Sequence, residues 1–79
     1  MEELIKYIVE NLVDNKDAIV ISTVEESEKG SVVTVLVDKE DVGKVIGRNG
    51  KIASSIRTIV KSASIKSGKR FVVKIGERD

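Results

Sequence analysis

The chain has 79 residues, 34% of them charged, and contains no Cys, His, Pro or Trp. That length fits one domain over residues 1–79 and leaves no room for a second. Without Cys or His there is no disulfide framework, no thiolate or imidazole metal site and no ordinary general base near neutral pH, so neither a metal nor another cofactor is expected. No apolar run approaches the roughly 20 residues that span a bilayer. The acidic start Met1-Glu2-Glu3 lacks the basic segment of a signal peptide. A soluble cytoplasmic protein is the expectation.

Net charge is only +1, but its distribution is uneven. Residues 1–41 carry four Lys against eleven acids, a net of −7, whereas residues 42–76 carry nine Lys or Arg and no acid at all. Opposite signs in the two halves are expected of a chain with a phosphate-facing region.

In chain order, Leu4, Ile5, Ile8, Val9, Leu12 and Val13 recur at helical spacing and predict a helix over residues 2–14. Asn15-Lys16-Asp17 ends it. Residues 18–24 are β-branched and predict a strand, and the polar run from Glu25 to Gly30 predicts a hairpin turn into a second strand over 31–37. Asp38 is placed as a helix N-cap, with Asp41 three residues on as a weak capping box. A short helix follows, with Val42, Val45 and Ile46 on its apolar side. Beyond Gly47-Arg48-Asn49-Gly50 a longer helix is predicted from Lys51 to about Ser67, burying Ile52, Ile56, Ile59, Val60 and Ala63, with Gly68 as its C′ residue. Residues 70–76 alternate Phe71, Val73 and Ile75 with Val72 and Lys74 as a third strand. The predicted fold is α+β, in the order α-β-β-α-α-β, with helices packed on one face of a three-stranded sheet.

The Gly-x-x-Gly turn between the two later helices is the most informative feature. Glycines let a second backbone approach closely. The turn also opens a helix whose free N–H groups and positive dipole end suit a phosphate. Arg48 and Lys51 add cations there, Asn49 adds a neutral donor and acceptor, and Ile46 and Ile52 could wall a groove for bases. Arg57 and Lys61, four apart on the long helix, either follow a nucleic-acid backbone, the favoured reading, or simply keep the helix soluble, while Lys66 and Lys69 read as a solvated face.

Residues 42–53, VGKVIGRNGKIA, resemble the KH signature with its V-I-G-x-x-G-x-x-I core. A leading helix and strand before β-α-α-β is similar to the type II KH arrangement of bacteria. Within that group the chain resembles the KhpA family over nearly its whole length, on Leu12–Asn15, Val42–Gly50 and Ile56–Lys61. The resemblance implies a mixed sheet and a loop that clamps about four nucleotides of single-stranded RNA. The expected RNA-binding set is Lys44, Ile46, Gly47, Arg48, Asn49, Gly50, Lys51, Ile52 and Arg57. Also implied are pairing, as a homodimer or with a KhpB (Jag)-type KH protein, RNA chaperone or post-transcriptional regulatory activity, and a link to cell elongation and division. One departure is Arg48-Asn49, where family members often carry a basic residue followed by Gln.

Two other classes of function compete with this reading. Asp38, Glu40 and Asp41 lie just before the loop, yet capping and a charged first turn explain them better than metal-assisted chemistry. A Walker A reading fails, because its first Gly would fall on Val45 and its Ser/Thr on Ile52. The other rival is a protein–protein interaction module without RNA binding. Val20, Val24, Val32 and Leu36 cannot all join their neighbours on one sheet face, so a partner could cover the other.

Overall fold

The β-branched runs form strands β1 (Val20–Ser27), β2 (Gly30–Asp38) and β3 (Arg70–Arg78) of one sheet, in that spatial order. The structure is a computed structural model that describes residues 1–28 and 30–78. Lys29 of the predicted turn and the tail residue Asp79 lie outside the described residues. β1 pairs antiparallel with β2, Val20 opposite Leu36 and Val24 opposite Val32. β2 pairs parallel with β3, Val33 opposite Val73, so the sheet is mixed with β2 at its centre.

Helices α1 (Glu2–Glu10), α2 (Val42–Ile46) and α3 (Lys51–Ser64) cover one face. The period-2 alternation of β2 sends Val33, Val35 and Val37 into the core, where they meet Ile5, Val9, Val45, Ile56 and Val60 from the three helices. Burying each such side chain contributes roughly 1.5–3 kcal/mol before the entropy of ordering is counted. The opposite face is open: Val24 is 61% exposed and Val72 47%, in one row with Val32.

Several boundaries shift for local reasons. The first helix ends at Glu10, not at residue 14, because Asn11 turns its side-chain amide onto the Tyr7 carbonyl at 2.7 Å and competes with the helical ladder. Val13 is still buried, one turn later. β1 starts at Val20 and runs on through Glu25 and Glu26, which were expected in the turn. An edge strand tolerates charged side chains, and a register irregularity between Glu25 and Ser27 bends it into the turn. α3 stops at Ser64 and tightens into a 3₁₀ turn over Ile65–Ser67, where the Ser64 and Ser67 hydroxyls bond back to the Lys61 and Ser64 carbonyls. Its buried stripe is Ala53, Ile56, Val60 and Ser64; Ile59 and Ala63, predicted inside, face outward, since small Ala53 and Ser64 let the helix sit close to the sheet on the adjacent face.

A polar network fixes α2 against the end of α1. Buried Asp41 accepts the Asn15 backbone N–H at 3.0 Å and Lys44 Nζ at 3.1 Å. Lys44 also pairs with Asp14, and the Asn15 side chain donates to Asp38 at 3.2 Å. Asp38 is not the N-cap of α2: its carboxylate accepts the Glu40 N–H in a local turn, and Asp41 occupies the cap position. The Asn15 N–H, with help from Lys44, holds the Asp41 carboxyl below the ordinary carboxylate range against the opposing cost of burial. Asp14, then Asp41, raise Lys44.

A carboxyl whose folded-state pKa is lowered stabilises the fold above the unfolded value near 4, and that contribution is lost as pH falls through the folded value. Asp41→Asn should therefore melt below the wild type at about pH 7. The gap should narrow as pH drops from about 5 toward about 2. Thermal melts followed by circular dichroism across that range check this; a gap independent of pH contradicts the electrostatic role.

Candidate nucleic-acid interface

The chain reverses between α2 and α3 through Gly47-Arg48-Asn49-Gly50. Three of these four residues have positive φ: 76° at Gly47, 56° at Asn49 and 74° at Gly50. That region penalises a Cβ, and Asn is among the few side-chain-bearing residues that enter it readily. The Arg48-Asn49 order follows from this, with the polar residue suited to left-handed backbone at the second position. Gly47 is doubly constrained, because a Cβ there would lie 2.6 Å from Cγ1 of Ile52. The Gly43 position is the reverse case: no atom lies within 4 Å of a Cβ built there, so packing within the chain does not account for that glycine.

Arg48, Asn49 and Lys51 are exposed at the tip, and among the described residues Arg48 and Lys51 make no ion pair. Lys51 opens α3, whose N-terminus receives no side-chain cap. The Gly50 and Lys51 amides bond the Gly47 and Arg48 carbonyls within the turn, so what converges on the loop is the positive dipole end of α3 and two cations. Ile46 is 37% exposed beside it, whereas Ile52 is half-buried and packs beneath Gly47. Lys44 stands apart: two carboxylates hold it in the network at the base of α2.

Arg57 reaches the outer edge of β3, its Nε donating to the Val73 carbonyl at 3.4 Å. Strand geometry turns the backbone groups of Phe71 and Ile75 toward that same edge. Beyond Arg57 a cavity of about 770 Å³ opens between the second half of α3 and the start of β3. Arg57, Lys61 and Ile65 line it from the helical side, and Arg70, Phe71 and Val73 from the strand. No acid lines it, although Lys69 on its rim lies 3.8 Å from exposed Glu25. The loop and the cavity sit toward opposite ends of α3, with Lys51 and Lys61 about 15 Å apart along the axis at 1.5 Å per residue. Basic side chains thus stand at both ends of the α3–β3 edge, with Arg57 between them. Ile65, Lys69, Arg70 and Phe71 were not read as site residues. The alternation of Phe71 with Val73 and Ile75 indicated their shared face, but only strand order makes β3 an edge.

Among the described residues, no group of acidic side chains could hold a metal ion, and no helix is long and apolar enough to cross a membrane.

The family model described as KhpA/KhpB, KH domain matches residues 2–75. The chain is 44% identical over 75 residues to the RNA-binding protein KhpA of Caldanaerobacter subterraneus subsp. tengcongensis, covering 95% of this chain and 99% of that one. It is 44% identical over 77 residues to the RNA-binding protein KhpA of Listeria monocytogenes, covering 98% and 100%. Against the protein of that name from Borreliella burgdorferi, identity is 40% over 73 residues, with 92% and 88% covered. No solved structure matches the chain. A family model spanning residues 2–75, and relatives matched over nearly their whole length, place this chain in the KhpA/KhpB KH-domain family.

Proposed function

We propose that this protein binds single-stranded RNA, with the Gly47–Gly50 loop holding the phosphate backbone and the α3–β3 edge holding bases. The observation that carries this is the loop itself. Positive-φ backbone, an uncapped helix start, Arg48 and Lys51 meet at one exposed point inside the acid-free stretch of the chain. The relatives' shared name, RNA-binding protein, supports the same ligand and a binding role rather than an enzymatic one. Gly47, Arg48, Asn49, Gly50 and Lys51 form the clamp, Ile46 and the rim of Ile52 the apolar wall, and Arg57 the edge. Lys44 acts by orienting α2. Aliphatic contacts replace aromatic stacking, since Tyr7 lies on α1 and Phe71 is the one aromatic along the edge.

The proposal extends to the cytoplasm as the site of action and to a role as an RNA chaperone or post-transcriptional regulator connected with cell elongation and division. It further includes pairing, with a second copy or a KhpB-type KH protein, supported by the uncovered row of Val24, Val32 and Val72. Two linked clamps would raise the effective concentration on one RNA. Light scattering over a concentration series should show a mass above the monomer's. A strict monomer that also recovers no KH partner in pull-downs contradicts this part.

Arg48→Asp with Asn49→Asp should weaken binding of a short single-stranded RNA by about 10- to 100-fold, the scale of one lost charge-assisted contact. Melting should stay near the wild-type value, because both side chains are exposed and carboxylates are tolerated before a helix start. Lys66→Asp, past the other end of α3, should have a much smaller effect. Fluorescence anisotropy and circular dichroism read the two properties. A double variant that melts and binds like the wild type removes the loop from the site.

A further inference from the structure

We infer that the cavity at the C-terminal end of α3 is a second subsite, which takes the nucleotides that follow the clamped ones along the same strand. The inference rests on the single-stranded RNA reading above and adds a length to it. Composition argues for a nucleotide rather than a purely apolar or purely ionic occupant. The apolar lining is Phe71, Val73 and Ile65, and Ile65 is 73% exposed. The rim is cationic, with Lys61 on the helical side and Lys69 and Arg70 on the strand side. A base against the Phe71 ring and phosphates on the rim satisfy both halves at once. The pairing of Lys69 with Glu25 is at 3.8 Å between exposed groups, loose enough to exchange for a phosphate.

Continuity with the clamp supports the same conclusion. Arg57 lines the cavity and also bonds the β3 edge, so it bridges the loop end of the groove to this end. A strand leaving the loop along α3 reaches Lys61 after about 15 Å, at 1.5 Å of helix per residue. The outward backbone groups of β3 run the length of that path, and among the described residues no further strand pairs with them.

The test compares a single-stranded RNA of about four nucleotides, enough for the clamp alone, with one of about eight. The wild type should bind the longer oligomer about tenfold more tightly, the scale of one stacked base. Lys69→Ser with Arg70→Ser should abolish that gain and leave the short oligomer's affinity unchanged. Phe71→Leu, which keeps an apolar floor but removes the ring, should reduce the gain in part. A wild-type gain that survives in the Lys69/Arg70 variant overturns the subsite. So does a variant that loses the short oligomer equally, because the cations would then act as a general field. An acidic peptide that binds the wild type and is lost in this variant, with no dependence on RNA length, would also overturn it. If the wild type binds neither oligomer, the RNA reading itself fails, a result distinct from these.

Discussion

The parallel pairing of β2 with β3 is the constraint on which the site depends. Two neighbouring parallel strands cannot be joined by a hairpin; the chain must travel back along the sheet before the second strand begins. Here residues 39–69 make that return, and they do so as two helices instead of one. The helices must therefore reverse direction over the core, and the reversal is Gly47–Gly50. Its left-handed residues, the close seat of Ile52 under Gly47, and the exposed start of α3 all follow from fitting a sharp turn into a crossover whose apolar faces are already committed to Val33, Val35 and Val37. The site is a by-product of topology that polar and basic side chains then exploit.

Charge placement supports the same division. Acids and bases meet where α1 ends and α2 begins, and there Lys44 pairs with both Asp14 and Asp41 beside a backbone hydrogen bond from Asn15. Everything from α2 to the end of the crossover is otherwise free of acid, so Arg48, Lys51, Arg57 and Lys61 have no nearby carboxylate of their own segment to pair with. Exposed cations that make no ion pair among the described residues attract a polyanion, and single-stranded nucleic acid offers phosphates at a repeat that they can follow. The charges that stabilise the fold and those proposed to bind are thus different residues, so substitutions at the loop tip test binding separately from folding.

Much of this was legible in the residues. The alternation of residues 31–37, the helical stripe of α1 and the Gly-x-x-Gly turn gave the element order and the loop, because hydrophobic period and glycine spacing are local signals. What failed was rotational and topological. The predicted stripe of α3 holds at Ile56 and Val60, and Ile52 packs partly against the core, but Ile59 and Ala63 face outward while Ala53 and Ser64 turn inward, a rotation decided by the fit to the sheet. Lys44 looked like one more cation beside the loop; its engagement with Asp14 spans a long stretch of sequence and leaves no local trace. The cavity that joins Arg57, Lys61, Arg70 and Phe71 could not be seen without knowing that β3 is an edge.

The most direct test of the loop as the point of contact is a nuclear magnetic resonance titration of the ¹⁵N-labelled protein with a short single-stranded RNA, following every backbone amide. The largest shifts should fall on Gly47, Arg48, Asn49, Gly50 and Lys51 and continue along β3, while Val24 and Val32 on the open sheet face stay in place. Shifts concentrated on Val24, Val32 and Val72, with the loop amides unmoved, would contradict the account.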